Sequence, residues 1–269
     1  MSRAATSRQV PVIVEPHLTR PATPSAESPE MKRLIVTIDG PAGTGKSSVA
    51  RDLAQRLGLE FLDTGAMYRA ATALAIERHV SLRDEQAIVT LLREADLHFN
   101  WQTDPPTLMA SGASIMDRLR DRDVSAGVSP VSQLAGVRRA LVELQRRIGE
   151  AHPRLVSEGR DQGSVVFFDA DIKFYLDAGQ RVRALRRARQ LEAMGRDADV
   201  DDIEREIADR DHRDASREVG PLIRPDDAIT IDTSQLSQDQ VVDSLERTVR
   251  ERIPQDILAN TTDGAPRQS

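Results

Sequence analysis

The 269-residue chain contains no cysteine, which excludes a disulfide framework, a thiol nucleophile and a zinc site built on thiolates. That lack is compatible with a reducing compartment, and the expected location is the cytoplasm. No apolar run approaches the ~18–20 residues that a membrane-spanning helix needs. The apolar stretch at 10–14 is also too short for the core of a secretory signal. Positive charge is not in excess: 37 Lys and Arg stand against 43 Asp and Glu, a net charge of −6. This argues against a broadly basic nucleic-acid surface. Internal repeats are missing. So are the Asp-x-x-Gly switch and the Asn-Lys-x-Asp guanine-reading element of a G protein.

With 39% apolar residues, the chain can bury one sizeable core and a smaller appended unit. Residues 1–30 are rich in Pro, Ser, Thr and Ala without a period, and are expected to form a disordered leader. Arg3, Arg8 and Arg20 suggest a transit peptide, but Glu15, Glu27 and Glu30 oppose it. Residues 254–269 are expected to be a frayed, disordered tail.

What is present is most telling at Gly40-Pro41-Ala42-Gly43-Thr44-Gly45-Lys46-Ser47-Ser48. The stretch follows an apolar run at 34–38 and opens into an amphipathic segment with Val49, Ala50, Leu53, Ala54 and Leu57. Strand, glycine-rich turn and helix in that order make a nucleotide-phosphate loop. Glycines let the backbone curl around an anion, and the helix adds the positive end of its dipole. Lys46 is expected to reach the outer phosphates of ATP, and the Ser47 hydroxyl to ligate Mg2+.

Apolar patterning predicts a short strand at 59–63, a turn at Thr64-Gly65-Ala66, a helix at 67–79 and another at 84–96. Short strands at 97–101 and 107–110, around Pro105-Pro106, predict a small β insert. Helical spacing returns at Val137, Leu141, Leu144 and Ile148, and further strands are expected at 154–157, 172–176 and 228–231. Repeated strand–helix units imply an α/β fold with a central parallel sheet flanked by helices and ligands at the strands' carboxyl ends.

Arginines gather at those ends. Arg69 follows the second strand and Arg160 sits in Gly159-Arg160-Asp161. Arg181, Arg183, Arg186, Arg187 and Arg189 crowd one helix, and Arg210, Arg213 and Arg217 lie on the next. Transfer between two phosphates brings negative charges together, and planar guanidinium groups neutralise them bidentately. An arginine-rich helix pair closing over the nucleotide also excludes water. Asp39 and Asp63 are open to two roles, ordering metal-bound waters or capping turns.

From about Arg33 to Ile253 the chain resembles the bacterial cytidylate kinase family of P-loop nucleoside monophosphate kinases. The resemblance is carried by the loop, by Asp63-Thr64-Gly65-Ala66-Met67-Tyr68-Arg69, by Gly159-Arg160-Asp161, by Arg210-Asp211-His212-Arg213-Asp214-Ala215-Ser216-Arg217 and by Ala228-Ile229-Thr230-Ile231-Asp232. It implies a P-loop kinase domain over 31–253, an acceptor-side insert at about 95–130 and an arginine-rich helical lid at about 179–217. It further implies phosphoryl transfer from ATP to CMP or dCMP with Mg2+, in a monomer serving small nucleotides, with no nucleic-acid or membrane partner.

By the same resemblance, Thr64, Arg69 and Arg160 sit where the family contacts the monophosphate. Asp161, Ser129 and Arg138 match the positions associated with cytosine; the nine-residue step to Arg138 selects Ser129 over Ser132. Arg210, Asp214 and Arg217 match the positions that hold the sugar and complete the pocket. Lys46, Arg160 and Arg187 are the expected catalytic set. The chain departs from the family pattern at Ser114–Arg120, in lacking the proline usual before Arg138, and at Gln162, where an apolar residue is usual. Two alternatives stay open: another P-loop kinase acting on UMP, AMP or a non-nucleotide, and a non-catalytic nucleotide-binding regulatory module.

Overall fold

The computed structural model describes residues 32–193 and 195–259. The expected leader at 1–30 and the residues after 259 lie outside the described residues. The elements run β1 (Leu34–Asp39), α1 (Lys46–Leu57), β2 (Glu60–Asp63), α2 (Thr64–Glu77), α3 (Glu85–Glu94), β3 (His98–Asn100), β4 (Thr107–Ala110) and β5 (Ala113–Ser114). A 3₁₀ turn (Met116–Arg120), α4 (Arg122–Val131), α5 (Ala135–Ala151) and β6 (Arg154–Glu158) follow. Then come a π-helical turn (Gln162–Val166), β7 (Ile172–Asp177), α6 (Gln180–Ala193), α7 (Val200–Ala215), β8 (Ile229–Asp232), α8 (Gln238–Arg252) and α9 (Gln255–Leu258).

β1 is buried along its whole length, as an aliphatic strand covered on both faces must be. Its side chains alternate: Leu34, Val36 and Ile38 enter one apolar cluster and Ile35 the other. α1 and α8 cover the first face through Val49, Leu53, Val242 and Leu245. α2 and α5 cover the second, where Ala70, Ala71 and Ala73 bring α2 close to Leu62 and Leu141. Each fully buried Leu contributes about 1.5–3 kcal/mol of transfer free energy.

The five parallel strands lie in the order β2-β6-β1-β7-β8. The chain leaves β1 toward one edge, fills the gap with β6, then crosses to β7 on the other side. Such a reversal opens a crevice beyond the carboxyl ends of the central strands, and the phosphate loop, the start of α2 and Gly159 all lie there.

Three local expectations change. α2 begins at Thr64 rather than 67, because the Asp63 carboxylate accepts from the Ala66 N–H at 2.9 Å and caps the helix. The insert is β-structured only through β5; α4 then completes this part of the chain. Within the expected frayed tail, Gln255–Leu258 form α9, and the Arg154 guanidinium donates to the Ile257 and Leu258 carbonyls at 2.8 and 3.2 Å.

The insert is fastened to the body through Trp101, whose ring stacks on His152 at 4.1 Å. His152 Nδ1 in turn lies 2.8 Å from Glu60 Oε2. α6 and α7 pack on each other through a separate small cluster of Ala184, Ala188, Ile203 and Ile207. Among the described residues no helix is long and apolar enough to cross a membrane.

Candidate active site

The glycine-rich loop joins β1 to α1 beside β7. A side chain on Gly40 would collide with the Leu176 carbonyl, and its φ of 145° is one that only glycine adopts without strain. No side chain caps the N-terminus of α1 and no acidic residue stands in its first turn. Its leading amides are therefore free to meet an anion. Lys46 is only 5% exposed, and its ammonium donates to the Pro41 carbonyl at 2.6 Å. Burial first, then the Arg160 charge, hold its pKa well below the usual lysine range.

A residue that motif reading left out completes this end. Glu158 closes β6 and is buried, and its carboxylate accepts from the Ser47 hydroxyl at 2.7 Å. Burial, with the neighbouring Asp63 charge adding to it, pushes the Glu158 carboxyl up to about 7. The available signal was its place: the last residue of the strand beside β1, directly before Gly159. Asp39 resolves between its two roles, since its oxygens accept from the Gln162 and Gly163 N–H groups at 2.9 and 2.7 Å. It holds the turn that carries Asp161, and burial lifts its pKa to about 6.

Farther along the crevice, several residues named from the sequence converge. Arg138 and Asp161, both almost fully buried, form an ion pair, and the Arg138 guanidinium lies 5.2 Å from the Tyr68 ring centroid. Asp214 is 1% exposed and is held from both sides, by Arg160 Nε at 3.0 Å and by Arg217. Burial works to raise the Asp214 pKa, but Arg160, Arg217 and Arg210 outweigh it and hold the carboxyl low. Two buried donors here lack a partner among the described residues: Arg138 Nε and Arg217 Nε. Leaving such groups unpaired costs about 1–3 kcal/mol each, which suits a pocket that a polar ligand completes.

Two site residues expected from the sequence already have protein partners. The Ser129 hydroxyl accepts from Arg213 at 2.9 Å, which leaves its own proton free. Ser132, across the short 132–134 turn between α4 and α5, lies at the Arg138 pair as well, its carbonyl accepting from Arg138 and its hydroxyl from Arg217, both at 3.2 Å, while that hydroxyl donates to the Ser129 carbonyl at 2.9 Å. Thr64 is in the crevice, but its hydroxyl donates to the Glu158 carbonyl at 2.7 Å. That proton joins α2 to β6 rather than facing a phosphate. Gln162 turns into the interior, where it accepts from Ser157 Oγ at 2.8 Å and donates to Gln145 at 3.2 Å.

The cations divide into two sets. Arg138, Arg160 and Arg217 have carboxylate partners. Arg69, Arg187 and Arg210 form no ion pair among the described residues. They repel one another instead. Burial, then Arg160, lower Arg210 to about 10, with Arg69 adding to the push. Burial, Arg196 and Arg69 lower Arg187. Asp214 offsets part of this for Arg210 and Glu206 part of it for Arg187, but the crowding of like charges out of water stays unfavourable, and an entering polyanion relieves it.

Gly220, after α7, is a second residue missed in the sequence. Any side chain there would strike Asp161 and Arg138. Gly220→Ala is therefore expected to lose about 1–3 kcal/mol of stability by overpacking. Urea melts check that loss, and the same variant should raise the acceptor KM while leaving the ATP KM within twofold.

A parallel sheet in this order, a phosphate loop at β1 and a crevice of unpaired guanidinium groups define a P-loop kinase. The family model for cytidylate kinase matches residues 36–251, and the chain belongs to the cytidylate kinase family. It is 44% identical to the cytidylate kinase of Rhodococcus jostii (strain RHA1) over 82% of this chain and 96% of that one. The cytidylate kinase of Carboxydothermus hydrogenoformans is 42% identical, over 78% of this chain and 94% of the relative. A bifunctional pantoate ligase/cytidylate kinase of Synechococcus sp. (strain CC9311) is 43% identical over 83% of this chain. This chain spans only 45% of that longer relative.

Proposed function

We propose that the protein transfers the terminal phosphoryl group of ATP to CMP or dCMP, giving ADP and the nucleoside diphosphate. The observation that carries the reading is the trio Arg69, Arg187 and Arg210, without ion pairs among the described residues, in one field of positive charge with Arg160 and Lys46. Two anionic ligands brought end to end are what such a cluster neutralises. The donor phosphates lie on the amides of 40–48, with Lys46 leaving the Pro41 carbonyl for the outer phosphates. Arg69 and Arg160 hold the acceptor phosphate, and Arg187 reaches the group in transfer. Arg210, Asp214 and Arg217 bound the sugar side.

Cytosine offers an amino donor and two acceptors. The Asp161 carboxylate accepts from the amino group, while Arg138 and Ser129 donate to the ring nitrogen and carbonyl. The acceptor oxygen is already ionised at neutral pH, so no general base is required. The residues fit Mg2+: the Ser47 hydroxyl and the buried, proton-retaining Glu158 carboxylate make an oxygen-rich corner that a divalent ion balances. Held there, Mg2+ would supply positive charge to offset that of the phosphates.

The acceptor assignment is tested by an ADP-release assay across CMP, dCMP, UMP, AMP and GMP. The highest kcat/KM belongs to CMP or dCMP; a better substrate elsewhere overturns the base assignment, and no turnover at all overturns the kinase reading.

Glu158 gives a pH prediction of two signs. Its folded pKa lies above the unfolded value of 4.5, so the folded state binds more protons between the two and loses stability as pH rises from about 4.5 toward 7. Function runs the other way, because only the ionised form balances the metal. Expected results are a kcat/KM for ATP that falls as pH drops below about 7, and a Glu158→Gln variant that is more thermostable at pH 8 yet slow at every pH. A variant with the parent's pH profile refutes the assignment.

A further inference from the structure

Of the arginines on α6, Arg183 is the one that is buried, at 4% exposed, and it does not face the crevice cluster. Its Nη1 donates to the Ala42 carbonyl at the tip of the phosphate loop at 3.0 Å. The same nitrogen lies 2.6 Å from the Asp211 carboxylate on α7, and Nε donates to the Ala178 carbonyl at 2.9 Å. Its Cβ stands 3.2 Å from where a side chain on Gly43 would begin, so α6 rests directly on the loop. One guanidinium thus joins the phosphate loop, the segment leading into α6 and the C-terminal part of α7.

We propose that Arg183 is a positioning residue for the donor nucleotide: it holds the Ala42–Gly43 peptide in the orientation that receives phosphate, and couples that orientation to the seating of the α6–α7 arm. The inference rests on the donor-site reading above and adds how the loop is kept ready. A peptide unit is planar and trans, with its C=O and N–H pointing in opposite directions. Fixing the Ala42 carbonyl on Arg183 therefore turns the Gly43 N–H away from α6, to the loop's other side. Without that hold, the short glycine-rich segment gains conformers, and binding must carry the entropy of ordering it. Asp211 keeps the guanidinium in place from α7, so a displaced arm releases the loop as well. Arg186 on the same helix bonds to Thr233 Oγ1 at 3.0 Å instead, which leaves the loop contact to Arg183.

The test measures ATP and CMP affinity separately by titration calorimetry on the full chain, together with melting temperature. Arg183→Met is expected to weaken ATP at least tenfold while CMP stays within twofold. Arg183→Lys, which keeps a cation but cannot span three partners, falls between. Asp211→Asn leaves the arginine but loosens it, and is expected to weaken ATP about threefold, also if the Met variant proves too unstable to titrate. ATP affinity unchanged in Asp211→Asn and in a folded Arg183→Met overturns the proposal. So does equal weakening of ATP and CMP, which marks a structural role only. If the unmutated protein binds ATP but phosphorylates no nucleoside monophosphate, the acceptor reading fails while the loop-holding role stands on the ATP data.

Discussion

Lys46→Met should lower kcat by about 10²–10³-fold, some 3–4 kcal/mol of transition-state stabilisation, and leave CMP affinity within twofold. The ammonium is buried beside Arg160 and Arg210, which repel it; it is retained there because charge develops on the phosphates during transfer. Stability should move in the opposite direction. The folded pKa of Lys46 is depressed, so at lower pH the folded state takes up that proton less readily than the unfolded chain, and stability rises with pH through this window. The Met variant loses that pH dependence and melts at or above the parent's temperature near neutral pH. Coupled ADP release and thermal melts at two pH values settle both halves. A kcat within tenfold of the parent, or parallel loss of CMP binding, defeats the assignment.

Arg138→Met removes the sole cation paired with buried Asp161 among the described residues. Breaking a buried pair from one side costs about 3–5 kcal/mol, because the remaining charge is stranded; urea melts should show that loss, with acceptor binding abolished. Asp161→Asn is gentler and more informative. Its amide oxygen still accepts from Arg138, while its NH2 puts a donor where the carboxylate accepted. That favours the carbonyl of uracil over the amino group of cytosine. The CMP-to-UMP ratio of kcat/KM is expected to fall by about one to two orders of magnitude, the worth of about 1–3 kcal/mol in hydrogen bonding. A ratio within threefold of the parent would place base recognition elsewhere.

The residues that sequence revealed are those whose function is local. The loop at 40–48 folds against itself, and Arg69, Arg160, Arg210 and Arg217 lie within short runs whose composition already signals an anion. Glu158, Gly220 and the particular place of Arg183 stayed hidden for a shared physical reason: each depends on a partner far along the chain. Glu158 meets Ser47 only because β6 inserts beside β1. Gly220 matters only because Arg138 and Asp161 press on it. Arg183 was one of five in a helix, and only burial separates it from its neighbours. The strand–helix alternation was legible because periodicity is local too; the start of α2 shifted because a single capping carboxylate, not apolar spacing, sets it.

The arm built from α6 and α7 has a consequence of its own. Its interior is two alanines and two isoleucines, set apart from the two larger clusters that bury the sheet. Little apolar surface is re-exposed when α6 and α7 come apart from each other, so the free energy of that local opening falls at the low end of the molecule's range. Amide protons of Ile203 and Ile207 should then exchange with deuterium long before those of Val36 or Leu155, and nucleotide should slow the former selectively. In that sense the enzyme keeps its hinge cheap by keeping the hairpin's heart small.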